Sequence, residues 1–317
     1  MDAVSRTLMF DSHGARCEAT FLVATSSALE GAAGRPCVVM AHGFGTTRDS
    51  GLAPFAAAFA AAGCDVVLFD YRGFAGSEAP RGTPRQDVDH RRHREDYRAA
   101  VAHVRGREGV DPDRVALWGT SYSGGHVLAV AADDHRLAAV VSQGAAVDGL
   151  AALTGRGKVR APGATKRPRV PGKGRAVAGA VVDDLLRQAT RRPPRLLAFM
   201  GDETSGALIS GPGAVAFGQV TGPTFRNEMC ARGIARIAFN RPVRRAGDVT
   251  CPTLLVVAEH DEIAPSGSVR EAARRMGPHA EVAAYPCEHV ALYAGPVHDD
   301  VVARETAFLV EHLASAS

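Results

Sequence analysis

Four short, nearly unbroken apolar runs, at residues 36–41, 65–69, 115–118 and 253–258, constrain this chain more than any other feature of it. Runs of that length and composition mark strands buried on both faces of a parallel sheet. Helical spacings alternate with them: Leu52, Phe55, Phe59 and Ala62 stop at Gly63, and Tyr97, Val101 and Val104 share one helix face. Further along, 123–132 reads as helix, 137–142 as strand, 268–276 as helix, 281–285 as strand and 296–313 as helix. Near the start, segments 8–10 and 17–23 flank Asp11-Ser12-His13-Gly14, the pattern of a hairpin. A hairpin followed by repeated strand–helix units predicts an α/β fold. We expect a mostly parallel eight-stranded sheet with helices on both faces.

The alternation fails after Asp148 and resumes at Cys251-Pro252. Between 155 and 175 the chain is mainly Gly, Pro, Lys, Arg and Ala without a period. Two modest helical stretches follow, at 176–190 and 227–239, separated by a Gly-rich piece at 206–222. A segment of this length without alternation reads as a cap inserted into one domain, since long loops in compact folds serve as lids or binding segments. The expected division is core 1–148, cap 149–248 and core 249–317.

The 317 residues are 46% hydrophobic and carry a net charge of +3, unevenly spread. Between Ala151 and Thr250, 18 Lys and Arg face 6 Asp and Glu, which leaves the remainder at −9. A basic middle on an acidic body is compatible with an anionic or carrier-linked substrate. No aromatics interleave the basic run, so nucleic acid is not an expected partner. Residues 1–10 contain Asp2 and Arg6 and no apolar segment of the secretory kind, and no stretch reaches the ~18 apolar residues of a membrane span. A cytoplasmic protein that does not enter a membrane is expected, its six scattered cysteines reduced and without zinc spacing. A homodimer is compatible with the sequence.

Chemistry concentrates at Ser121, in Leu117-Trp118-Gly119-Thr120-Ser121-Tyr122-Ser123-Gly124-Gly125. A serine between a strand and a helix, with small residues two positions away on either side, sits on a sharp turn with its hydroxyl lifted off the sheet. Ser121 therefore reads as a nucleophile. It needs a base, an acid to orient that base, and donors for an oxyanion. Asp261, beyond the strand at 253–258, is preferred as the acid over Asp148, which stands beyond the earlier strand. Asp261 would otherwise cap the helix near Ser266. Among twelve histidines, His289 hangs beyond the last strand and is the expected base. His279 lies at the opposite strand end, His298 starts the final helix, and His126 is too near Ser121 in sequence to face it. The Phe44 and Tyr122 N–H groups are the expected oxyanion donors, Phe44 from the loop His42-Gly43-Phe44-Gly45 and Tyr122 from a helix start. His42 is expected to tie loops together.

The run at 119–124, the stretch Asp70-Tyr71-Arg72-Gly73-Phe74-Ala75-Gly76-Ser77 and the order Ser121, Asp261, His289 resemble the α/β-hydrolase superfamily. Within it they are similar to serine hydrolases near the acetyl-xylan esterases and X-Pro dipeptidyl-peptidase-like proteins. One departure is Ser123 in place of the second elbow glycine; its hydroxyl could bond Ser121 or the substrate. The resemblance implies a serine esterase or thioesterase acting on a small acyl substrate through an acyl-enzyme, without metal or organic cofactor. The same residues also suit acyl transfer, cyclisation, C–C cleavage or a Pro-peptidase-like amidase. A binding protein on the same fold would be expected to lack one member of the set.

Overall fold

A computed structural model describes residues 5–163, 172–202, 207–210 and 212–314. Parts of the irregular run at 155–175 and of the Gly-rich piece at 206–222 thus lie outside the described residues. Strands β1 (Ser5–Ser12) and β2 (Ala15–Leu22) form the expected antiparallel hairpin. The alternating units follow as β3 (Arg35–Ala41), α1 (Ala53–Ala61), β4 (Asp65–Phe69), α2 (His90–Arg105), β5 (Val110–Thr120), α3 (Tyr122–Ala131) and β6 (Ala139–Gln143). In the middle come α4 (Gly149–Thr154), α5 (Lys173–Ala189), β7 (Leu196–Leu197), β8 (Met200–Gly201), β9 (Ile209–Ser210), α6 (Pro212–Val220), β10 (Met229–Cys230) and α7 (Arg232–Ile237). The alternation closes with β11 (Thr253–Ala258), α8 (Ser266–Met276), β12 (Ala280–Tyr285) and α9 (His298–Leu313).

Eight strands form one sheet in the order β1-β2-β4-β3-β5-β6-β11-β12, parallel from β4 onward. Strands β3, β4, β5, β6 and β11 are buried almost throughout because helices cover both faces, which is why their sequences run apolar instead of alternating. Two apolar cores result. One packs Tyr97, Val101, Leu128 and Val269 on the α2, α3 and α8 side, and the other packs Phe55, Phe59, Trp118 and Phe308 under α1 and α9. Strands β3, β5, β6, β11 and β12 all point their C-terminal ends one way, so the loops after them gather along one edge of the sheet.

The middle segment departs in detail from its sequence reading. The Gly-rich piece carries a helix, α6, and the stretch at 227–239 is helical only over α7, with β10 before it. The four cap strands make two-stranded ladders, β10 with β7 and β8 with β9. Pieces of two residues carry no period, so neither alternation nor helical spacing could announce them.

Candidate active site

Ser121 occupies the turn between β5 and α3 with φ 56° and ψ −116°, a conformation that costs a non-glycine residue about 1–3 kcal/mol. The turn is locked on both sides: the Ser121 N–H donates to the Gln143 carbonyl at 2.8 Å, and the Ser121 carbonyl accepts from Ala146 N–H at 2.8 Å. Close packing explains the small neighbours. A Cβ on Gly119 would collide with the Ser123 carbonyl, and one on Gly124 would stand 2.8 Å from the Ala145 Cβ. Ser123 is buried, and its hydroxyl accepts from Thr120 N–H at 2.8 Å and reaches the Ala41 carbonyl at 2.8 Å. It therefore bonds the end of β3 to the elbow, and not Ser121.

Loops after β11 and β12 bring Asp261 and His289 together. The His289 Nδ1–H donates to Asp261 Oδ2 at 2.5 Å, with both side chains buried. Asp261 Oδ1 accepts from the Ile263 and Ala264 N–H groups, each at 2.7 Å, so the carboxylate is held by its own loop. It caps that turn and not α8. His289 Nε2 is buried and has no hydrogen-bond partner, the Ser121 hydroxyl included. Two links bring this pair toward Ser121. Gly144, next to the residue that accepts the Ser121 N–H, has φ 49°, and a Cβ there would stand 3.4 Å from the His289 ring. Thr120 donates its hydroxyl proton to Tyr293 at 2.6 Å, and the Tyr293 ring centroid lies 5.9 Å from that of His289.

Ser121 opens into a cavity of about 260 Å³ that Phe44 and Tyr122 also line. Tyr122 is the first residue of α3, so its N–H has no acceptor within the helix. Gly43 brings the preceding loop close: a Cβ there would stand 3.1 Å from the Ser121 Cβ. The cavity walls are mostly apolar, with Phe199, Leu208, Ile209, Phe217 and Val220 supplied by the cap. Phe217 also packs against His289, its ring centroid 5.9 Å away. Lys158 and Glu262 are the charged residues in the wall. Lys158 donates to the Glu262 carbonyl, and partial burial pulls its ammonium pKa down against the pull of Asp261 and Glu262.

The other candidates have structural duties. Asp148 caps α4 through the Leu150 and Ala151 N–H groups and pairs with Arg241 at 2.8 Å. His298 bonds the Leu292 carbonyl at 3.1 Å and packs on Phe55. His126 faces the core beside Tyr122 and His93. His42 donates through Nδ1 to the Gly43 carbonyl at 3.0 Å, and burial lowers its pKa to about 4, so the ring is neutral and ties the loop. The quoted loop after β4 is structural too: Arg72 pairs with buried Asp96, and Asp70, beside Arg48, is pushed up to about 6 by burial. Sequence reasoning missed the cap side chains of the wall, for which no signal existed. It also missed Tyr293, one helical turn after His289, which that spacing could have suggested. Among the described residues no group of three or more His, Cys, Asp or Glu is placed to hold a metal ion, and no helix is long and apolar enough to cross a membrane.

Residues 36–296 match a family model described as alpha/beta hydrolase fold. The quorum-quenching protein AidA of Acinetobacter baumannii is 32% identical over 306 residues, 95% of this chain and 93% of that protein. Thiohydrolase aneE of Aspergillus aculeatus is 39% identical over 112 residues, 35% of this chain and 34% of that one. A polyketide transferase, grgF of a Penicillium species, is 34% identical over 113 residues, 36% of this chain and 37% of its own length. The crystal structure of alpha/beta hydrolase GrgF from Penicillium sp. sh18 superposes with a TM-score of 0.76 at 19% identity, covering 98% of this chain and 99% of that one.

Proposed function

The chain belongs to the alpha/beta hydrolase fold family, and from that premise we propose that it is a serine acyl hydrolase acting on an ester or thioester. The observation that carries the reading is the buried Asp261–His289 pair, with its Nε2 unspent, beside a strained serine that opens into an apolar cavity. Ser121 Oγ attacks the acyl carbonyl and His289 Nε2 takes the hydroxyl proton. Asp261 accepts from Nδ1–H, which fixes the tautomer and stabilises the imidazolium. The Phe44 and Tyr122 N–H groups receive the oxyanion, each donor worth about 3 kcal/mol in the transition state. His289 then protonates the leaving group, and water, deprotonated by the same nitrogen, releases the acid. The apolar wall suits an acyl chain more than a sugar or a charged peptide.

Acyl transfer is the second reading. One relative is named a thiohydrolase and another a polyketide transferase, which supports weighing transfer beside hydrolysis. Labelling by a fluorophosphonate probe tests the nucleophile: the wild-type chain should be labelled and Ser121→Ala should not. Equal labelling of the two would reject it. Product mass after turnover in oxygen-18 water separates hydrolysis, which puts the heavy atom in the acid, from transfer to another acceptor.

A further inference from the structure

A second cavity, about 700 Å³, lies where the cap meets the core and shares no wall residue with the first. Five arginines line it: Arg92, Arg191, Arg192, Arg232 and Arg236. Three of them are fixed. Arg232 is buried and holds Asp184 through two bonds, 2.8 and 2.7 Å. Arg236 reaches Asp87 at 2.7 Å and Arg92 reaches the same carboxylate at 3.0 Å, with Asp89 beyond. Arg191 and Arg192 have neither an ion pair nor a side-chain hydrogen bond among the described residues. Set against Asp87, Asp89 and Asp184, the five guanidinium groups leave a surplus of two positive charges, which is the number of unpaired arginines.

The two unpaired arginines are presented by a rigid device. Arg191 has φ 56°, a left-handed conformation that glycine usually takes at a helix end, and Pro193 and Pro194 stiffen the chain just after Arg192. Strain of this kind gathers where a side chain must be aimed. Behind them the Arg195 N–H is tied to Asp184 at 2.7 Å. Arg191 and Arg192 are exposed and share the cavity wall with the three paired arginines, an arrangement that suits the clustered oxygens of phosphate groups. Helix α7 lies between the two cavities: Arg232 and Arg236 line this one, and Ile237 lines the acyl cavity.

We propose that this arginine-lined cavity binds the phosphate-bearing end of a nucleotide-type carrier whose thioester reaches Ser121 past α7. The anion site stands on its own residues; only its connection to a thioester rests on the acyl-hydrolase reading.

The test is calorimetric titration of the full chain with sodium pyrophosphate and then with coenzyme A, at low and high salt. Pyrophosphate should bind, and its affinity should fall as salt is added. It should weaken by about tenfold or more in the double variant Arg191→Ala/Arg192→Ala, the loss of one or two charge-assisted contacts. Arg6→Ala, on the distant β1, should stay within about twofold of wild type. Arg191→Lys/Arg192→Lys should recover part of the affinity, which separates lost charge from a disturbed fold. Absence of pyrophosphate binding, or equal binding by the alanine variant, overturns the site. Coenzyme A should displace pyrophosphate; if it does not, the carrier assignment fails and the cavity takes smaller phosphates. Fluorophosphonate labelling of Ser121 reports on the nucleophile independently of every arginine in this cavity.

Discussion

Helices α3 and α5 mark two ways of using a helix in one protein. All ten residues of α3 are buried, and its first residue adjoins Ser121. Of the seventeen residues of α5 only Asp184 is fully buried, while Val182, Leu185 and Leu186 face outward. Around α3, side chains interlock with the sheet at native packing density, so a small displacement is resisted by every neighbour. The middle segment that carries α5 joins the core through Phe199, Phe217 and Met229 and through separate hydrogen bonds. These include Thr224 N–H to Asp49 at 3.0 Å, Cys230 N–H to Gln86 at 2.9 Å and Gly267 N–H to Gly157 at 3.0 Å. The difference teaches how labour is divided: the elbow at Ser121 is held in fixed geometry, while α5 is left room to give. Local opening should therefore begin at α5, which buries only Asp184 and leaves Val182, Leu185 and Leu186 exposed.

Breaking the rigid side should cost most. Ser121→Ala should lower kcat for a p-nitrophenyl ester by about 10⁴–10⁶-fold with KM little changed, because binding surfaces remain while the attacking atom is gone. Removing the ion pair that joins α5 to α7 comes next. Arg232→Met leaves Asp184 buried and unpaired, a loss of about 3–5 kcal/mol. Limited proteolysis should then cut the cap in advance of global unfolding; simultaneous loss of cap and core would show that the two are one cooperative unit.

Charge burial sharpens the contrast at a smaller scale. Glu305, fully buried in the rigid part, accepts from Trp118 Nε1 at 2.7 Å, and burial raises its pKa from 4.5 to about 8. The folded state thus binds a proton that the unfolded state has released, so Glu305 lowers stability progressively as pH rises from 4.5 to 8. Glu305→Gln should flatten that alkaline slope in urea titrations. His42 and His90, both lowered to about 4 chiefly by burial, work in the other direction. The unfolded state takes up their protons first, so stability should fall as pH drops from about 6.5 to 4. The smallest effect belongs to the exposed face of α5: Leu186→Ser should change the free energy of unfolding by no more than about 0.5 kcal/mol in urea titrations. A larger loss would mean that the face is covered in solution.

How far the sequence could be read differs between the same two regions. The buried strands were legible because burial on both faces leaves an apolar run, and β3, β4 and β11 fall within a residue of where those runs predict them. The sharp turn at Ser121 was legible from Gly119 and Ser123, and a Cβ on Gly119 would meet the Ser123 carbonyl. The pairing of Asp261 with His289 followed from each standing beyond its own strand, and the 2.5 Å bond agrees. In the cap, α6 hid in glycine and proline, and the approach of Phe217 to His289 had no signal at all. Nor did composition show which arginines are paired. The basic surplus of the middle segment is plain in the sequence, yet Arg232 is spent on Asp184 while Arg191 and Arg192 are not.

Local order along the chain therefore determined the sheet, the elbow and the chemical identity of the residues beyond each strand, because periodicity and turn chemistry act over a few residues. Only the tertiary structure decided which aspartate is left to the histidine, what Ser123 holds, and how the cap walls the cavity. Those outcomes depend on contacts between segments far apart in the chain, 28 residues for Asp261 with His289 and 82 for Ser123 with Ala41, whose distances no local pattern encodes.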